Sequence, residues 1–515
     1  MKLPSLAHDY LLASAERFPD REALVQGGRR VSYAELRDAA QAMSAWLVDR
    51  GLRLGDRVGL LTDDAHDYAA AYFGVMMAGG TVVALNTQTT GRWVAAQLGR
   101  CQVSIVVTHR KLIKVVAEAA AATPSLRTIV INGGNAHLSG VECVDLDQAL
   151  KADRVASGGA GEPWALSPSA IAQIIFTSGT TAEPHGVMLR HSNLIANTES
   201  IVRYLHLTER DSVMAVLPFS YAYGNSLLLT HVAVGGSLVV NQSFLYPNTV
   251  LEQIIAERVT GLSGVPSTFA ILLNRSSIRR YKFPHLRYLT QAGGPMPPKL
   301  GHDLKAILPG VDVYVMYGQT EAAARLSYLD PADLFRKAGS VGKAIPGVTL
   351  CVVDPDGRPV PVGEVGEIVA TGDNIMVGYW GEPELTAAVL KHECLWTGDL
   401  GRFDDEGYLY IVGRQGDIIK SGSYRISPRE VENSLAEHSA VHEAAVVGVP
   451  DAVLGEAMKA YVVLRDGASV TEHELLAHCR KQLPAYMVPQ RVKFLAELPK
   501  TTNGKIRAVE LKARG

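Results

Sequence analysis

The sequence predicts an α/β protein: a large N-terminal domain of two α/β subdomains with a small β-barrel-like subdomain, followed by a small α+β C-terminal domain. Three observations predict it. Strand–helix–strand alternation recurs early in the chain. A Gly/Ala-rich stretch, A-S-G-G-A-G-E-P at 156–163, separates this run from a second α/β run that reaches about Lys343. From Val348 the helical period gives way to short β-type runs separated by turns. The length of 515 residues asks for more than one core, since domains commonly hold about 100–200 residues.

After Tyr33, apolar residues recur at helical spacing (Leu36, Ala40, Met43, Leu47), and Gly51 stands where a helix stops. A short strand is expected over Arg57–Leu61, then a helix ending at Gly79-Gly80, then the strand T-V-V-A-L, with the same alternation continuing past Ser104–Val107. Turns are expected at D-P-D-G (354–357) and D-D-E-G (404–407). Beyond Gly413 a further unit of about 100 residues brings strands near Ala444–Val447 and Ala460–Leu464 and a helix near 471–483.

Lys+Arg 50 against Asp+Glu 52 gives a net charge of −2, and neither sign forms a long block, which disfavours nucleic acid or a charged membrane surface as partner. Five scattered cysteines without a C-x-x-C pair fit a reducing compartment, and an N-terminus broken by His8, Asp9 and Glu16 does not read as a secretory leader. The longest apolar stretch, Leu227–Val240, contains Thr230 and His231 and falls short of the roughly 20 residues of a membrane span. A cytoplasmic location is expected. His473-Glu474 and His478 do not form a metal-binding H-E-x-x-H, because a spacing of five turns the second imidazole about 140° round a helix.

The sharpest feature is I-I-F-T-S-G-T-T-A-E-P-H-G at 174–186, a hydrophobic strand running into hydroxyls and glycines. Thr177, Ser178, Gly179, Thr180 and Thr181 let backbone N–H groups and hydroxyls converge on phosphate oxygens. No G-K-[ST] follows, so this is not a Walker loop.

With this loop the sequence resembles the adenylate-forming (AMP-binding) enzyme family of acyl- and aryl-CoA synthetases, peptide-synthetase adenylation domains and luciferases, whose loop runs T-S-G-T-T-G-x-P-K-G. Ala182 and His185 depart from that pattern, standing where it has glycine and lysine. Tyr317-Gly-Gln-Thr320-Glu321 resembles Y-G-x-T-E, Thr397-Gly-Asp399 resembles T-G-D, Gly413-Arg414 resembles the G-R before the interdomain hinge, and Asn503-Gly504-Lys505 resembles the C-terminal N-G-K. The resemblance implies a domain over 1–412, a hinge over 413–417 and a mobile C-terminal domain over 418–515.

It also implies roles. Joining a carboxylate to the α-phosphate of ATP brings two anions together, so cationic and hydrogen-bonding groups must hold the charge. The resemblance gives that work to Lys505, bridging carboxylate and α-phosphate, to Thr320 on the α-phosphate and to Glu321 on magnesium. Tyr317 would pack on adenine, Asp399 would accept the ribose hydroxyls, and Arg414 would support ribose and phosphate. The phosphate loop with His185, and Gly293-Gly294, complete the nucleotide site.

By the same resemblance the acid pocket would hold Tyr221, Tyr223, Ser226 and Ala292. Ser220 stands where amino-acid-activating relatives usually carry an aspartate for the substrate ammonium, which favours an acid without an α-amine. Gly416 would be the pivot, and Lys420, Gly422 and Ser423 would border the acceptor channel. The expected reaction is acid plus ATP to acyl adenylate and pyrophosphate, then transfer to a thiol, most simply coenzyme A. Alternatives are transfer to a carrier-protein thiol or an amine. A nucleotide-binding protein without catalysis is the rival of another class; Thr320, Glu321, Asp399 and Lys505 argue against it.

Overall fold

A computed structural model describes residues 4–134, 136–151, 165–177, 184–241, 244, 246–414, 419–421, 424–451, 455–501 and 506–514. Two large sheets and a smaller one make up the chain as far as Arg414. An eight-stranded sheet carries, in spatial order, Gly378–Tyr379, Gly186–Arg190, Ile171–Phe176, Thr81–Ala84, Arg57–Leu61, Ile105–His109, Thr128–Asn132 and Glu142–Asp145. The expected strand at Arg57–Leu61 and the helix Tyr33–Asp49 are both present. That helix starts where Ser32 and Glu35 form a reciprocal capping box, satisfying amides that the first turn would leave orphaned.

A nine-stranded sheet follows. Its parallel centre orders Asp312–Tyr317, Tyr288–Gln291, Gly261–Gly264, Ser212–Ala215 and Ser237–Val240 side by side. The N-terminal hairpin, Glu22–Gln26 with Arg29–Ser32, extends this second sheet rather than the first, with Leu24 opposite Leu238. One apolar core runs between the two sheets, filled by the helices Ala65–Met77 and Ala222–Val234, with Tyr68, Tyr72 and Phe73 wholly enclosed. Burying each such ring is worth roughly 1.5–3 kcal/mol. The apolar run Leu227–Val240 divides into the end of a helix and a strand. Among the described residues no helix is long and apolar enough to cross a membrane.

The β-type texture after Val348 becomes a five-stranded antiparallel sheet containing Val348–Val353, Gly366–Gly372, Cys394–Phe403 and Leu409–Arg414. Both expected turns close with Gly N–H donating to Asp C=O, Gly357 to Asp354 and Gly407 to Asp404. Past Arg414, a second five-stranded sheet is built on the pair Val441–Asp451 and Gly455–Leu464. The helices Pro428–Glu437 and Glu472–Gln482 cover one apolar face, and Leu498 with the helix Ala508–Ala513 covers the other. Arg429 Nη1 donates to the Ile411 carbonyl at 3.0 Å and Ser427 Oγ to that of Val412, tying this helix to the strand before Arg414.

Candidate active site

Three parallel strands of the second sheet end together: Ser212–Ala215 leads to Ser220-Tyr221, Tyr288–Gln291 to Ala292-Gly293-Gly294, and Asp312–Tyr317 to Thr320-Glu321. Carboxyl ends of parallel strands are where open α/β sheets bind ligands. The turn after Gln291 is tied by Gln291 Nε2 donating to the Gly294 carbonyl at 2.8 Å. Gly293 adopts φ +84, and a Cβ there would stand 2.8 Å from the Tyr221 hydroxyl. Glycine is required twice over, by backbone and by space.

The third sheet supplies the facing charge. Strand pairing puts Asp399 directly opposite Arg414. A register slip in the strand Cys394–Phe403, with Gly398 at φ +70, turns Asp399 into the interior. Arg414 Nε donates to Asp399 Oδ1 at 2.9 Å, and the Tyr317 hydroxyl donates to Oδ2 at 2.7 Å. Burial, and after it Asp399, pushes the Tyr317 phenol well above its ordinary range, while Asp399 raises Arg414. Three of the sequence-predicted residues, far apart in the chain, therefore meet at one carboxylate. Each of its oxygens keeps acceptor capacity beyond these two bonds.

A second chain of contacts runs from Glu321. Its Oε1 accepts from the Tyr379 hydroxyl at 2.9 Å, and its backbone carbonyl accepts from Met376 N at 2.8 Å. The Tyr379 ring lies 5.5 Å from that of His185, whose Nδ1 is 2.7 Å from Glu382 Oε2. Arg100 Nη1 reaches the other oxygen of Glu382 at 3.3 Å. His185 is thus anchored through Nδ1 and keeps Nε2 as its second hydrogen-bonding atom. Sequence reasoning missed Tyr379 and Glu382; the dense run G-Y-W-G-E-P at 378–383 was the available signal.

The residues expected in the acid pocket behave differently from one another. Tyr221 is half-buried beside Gly293. The Tyr223 hydroxyl is occupied, donating to the Thr290 carbonyl at 2.8 Å with Thr290 Oγ1 at 2.7 Å. Ser226 Oγ donates to the Tyr223 carbonyl at 2.7 Å. Gln173, Asn197, Asn225, Ser226 and Ala323 line a small cavity against the first turns of the helix Ala222–Val234. Just past Glu321, Ala323 and Ala324 take φ +50 and +107, held by Asn374 Nδ2 donating to the carbonyls of Ala322 and Arg325 at 3.0 and 2.8 Å. Such backbone strain persists only where the surroundings over-determine it.

Thr177 lies at the edge of the described residues, its N–H donating to the His185 carbonyl at 3.0 Å. Ser178, Gly179, Thr180, Thr181, Gly416, Gly422, Ser423 and Lys505 lie outside the described residues, as does the side chain of Lys420, whose backbone is in the strand Ile419–Ser421.

Residues 11–380 match the AMP-binding enzyme family, and residues 430–505 match the AMP-binding enzyme C-terminal domain. The chain is 31% identical over 519 residues to a long-chain-fatty-acid–CoA ligase of Bacillus subtilis, covering 96% of this chain and 92% of that one. Its fold superposes with TM-score 0.91 on the anthranilate CoA ligase AuaEII in complex with anthranoyl-AMP, at 26% identity over 100% of this chain and 98% of the other. It superposes with TM-score 0.88 on the amide bond synthetase McbA from Marinactinospora thermotolerans, at 29% identity over 99% of both chains.

Proposed function

The chain belongs to the AMP-binding enzyme family, and on that premise we propose that it activates a carboxylic acid lacking an α-amine as its acyl adenylate and passes the acyl group to coenzyme A. It is an AMP-forming acid–thiol ligase. A carboxylate oxygen of the acid attacks the α-phosphorus of ATP, and the bond to pyrophosphate breaks. The thiol sulfur then attacks the acyl carbon of the mixed anhydride, and AMP leaves.

The observation that carries this reading is the meeting of Tyr317 and Arg414 on buried Asp399, at the mouth of the strand that leads into Thr320 and Glu321. Asp399, already oriented through both oxygens, keeps lone pairs for the two ribose hydroxyls. Thr320 faces the α-phosphate, and Lys505 bridges it to the acid. The polyphosphate lies along Thr177 to Thr181 and His185, Gly293-Gly294 border the adenosine, and Gly416 is the pivot of the C-terminal domain. Magnesium fits Glu321, whose Oε1 takes the Tyr379 hydroxyl and whose Oε2 remains for a cation that also needs phosphate oxygens; bound there it would neutralise phosphate charge. The five cysteines, all free thiols, fit a cytoplasmic location.

ATP–pyrophosphate exchange across aliphatic, aryl and α-amino acids tests the first half-reaction. Exchange is expected with at least one acid lacking an α-amine and little with α-amino acids; robust exchange confined to an α-amino acid would overturn the argument from Ser220. Supplying CoA or an amine to the preformed adenylate then identifies the acceptor. The likeness to McbA makes an amine the competitor to include.

A further inference from the structure

Among the described residues one arginine and one lysine are buried, and they are handled in opposite ways. Lys337 meets Asp404 at 2.8 Å and Glu406 at 2.5 Å. Arg325 is 2% exposed, and among the described residues no carboxylate stands within ion-pair distance of it. Its guanidinium lies 4.0 Å above the ring of Tyr223. Nη1 donates to the Ala324 carbonyl at 3.0 Å, and Nε points at Met316 Sδ at 3.4 Å. Arginine carries five N–H donors and stays charged, so these contacts leave part of the fork unspent. The neighbouring phenols of Tyr204, Tyr221 and Tyr223 feel its charge.

An uncompensated buried cation is expensive, and a cation–π contact offsets only part of the cost. The placement is informative. Arg325 follows the strained Ala323-Ala324 step that leaves Thr320-Glu321, and it covers a residue of the acid pocket. The backbone there is clamped by Asn374, and Asn197 Nδ2 donates to the Arg325 carbonyl at 3.4 Å, so the side chain is aimed from a fixed base.

We propose that Arg325 is a specificity-determining residue of the acid pocket, and that the preferred substrate carries a second anionic group, a carboxylate, which pairs with the guanidinium while the first carboxylate is adenylated. This rests on the acid-activating reading above. The second carboxylate completes the ion pair that the described residues do not supply, and the planar fork suits it bidentately. An apolar acid of the same length leaves the cation unpaired and is disfavoured.

The test pairs straight-chain dicarboxylic acids of increasing length with the monocarboxylic acids that lack only the distal carboxylate. Acid-dependent pyrophosphate release and direct calorimetric binding are both measured, in the wild type and in Arg325→Met and Arg325→Lys. The wild type is expected to favour one dicarboxylic acid over its partner by about tenfold or more in kcat/KM. Arg325→Met lowers or reverses that preference, read as the ratio of kcat/KM for the two acids, and Arg325→Lys restores it in part. A structural role alone would lower both acids together. An unchanged ratio in Arg325→Met, or a wild type that prefers the monocarboxylic acid throughout, overturns the proposal. Arg325-dependent binding of a dicarboxylic acid with no pyrophosphate release from any acid would instead refute the adenylation reading and leave this one standing.

Discussion

The two sides of the site present buried charge in contrasting states. At Asp399 the protein supplies the partners, Tyr317 on one oxygen and Arg414 on the other. At Arg325 it supplies an aromatic face and a carbonyl but, among the described residues, no anion. The difference teaches how to separate machinery from receptor. A charge oriented by its own chain can serve every substrate in the same way, as the nucleotide side must. A charge left short of partners is a demand that only a ligand meets, and it belongs where substrates differ.

The largest test of that contrast falls on the partnered side. On the proposed reading Asp399→Ala removes an acceptor from two ribose hydroxyls, and charge-assisted bonds of this kind are worth about 1.5–3 kcal/mol each. Pyrophosphate exchange should fall by roughly a hundredfold or more in kcat/KM for ATP, with the ranking of acids unchanged. A changed ranking would show that the two sides are not independent.

Asp67 offers an intermediate case, a carboxyl 4% exposed whose polar partner is the Asn132 amide at 2.5 Å. Burial, with the neighbouring Asp64 second, raises it to about 6. A carboxyl raised above its unfolded value near 3.9 binds its proton more tightly when folded. Stability therefore falls as pH rises from about 4 to 6, and the deficit is full above that window. Asp67→Asn should recover about 1–2 kcal/mol at pH 8 and almost nothing at pH 3.5, read by urea unfolding. Equal gains at both pH values would acquit the charge.

His185 adjoins the phosphate loop with one imidazole nitrogen committed to Glu382. Lysine would bring a fixed positive charge to a position where the imidazole offers its second nitrogen. His185→Lys is expected to keep or improve the ATP KM, by up to about tenfold. A large loss of ATP affinity would mean that the Glu382-held ring is itself required.

The smallest expected effect sharpens the comparison most. Arg325→Met exchanges a buried cation that has no carboxylate partner among the described residues for an apolar chain, so the protein alone should be unchanged or about 1 kcal/mol more stable. Lys337→Met, which removes the cation that Asp404 and Glu406 share and leaves Glu406 to Arg336, should lower Tm. Two losses of similar size would remove the distinction between a partnered cation and one kept for a ligand.

Much of this was legible beforehand because it is local. Asp354 and Gly357, and Asp404 and Gly407, act within a few residues, as does the apolar period after Tyr33, and the pattern predicts a helix and turns that the structure contains. The motif residues Tyr317, Asp399 and Arg414 were legible from their resemblance, and the geometry brings them together. Hidden were the features made by approach of distant segments. Glu382 reaches His185 across nearly two hundred residues, and nothing in G-E-P alone says which imidazole it will meet. Arg325 looks like any arginine after an alanine run until its burial, and the absence of a counter-charge among the described residues, are seen together. Tyr223 was a fair pocket candidate whose hydroxyl is already committed to Thr290.

The N-terminal hairpin has a consequence for the order in which the molecule can be made. Its strand Glu22–Gln26 finds its parallel neighbour in Ser237–Val240, and Leu24 waits for Leu238. A ribosome adding about 5–20 residues per second needs on the order of 10–40 s to bridge that interval. Throughout it, Ala23, Leu24 and Val25, all fully enclosed in the finished core, have no parallel partner to pair with. The hairpin is therefore among the later pieces to be locked in place, and a chaperone that covers short apolar segments would find its customer in a strand made long before its partner.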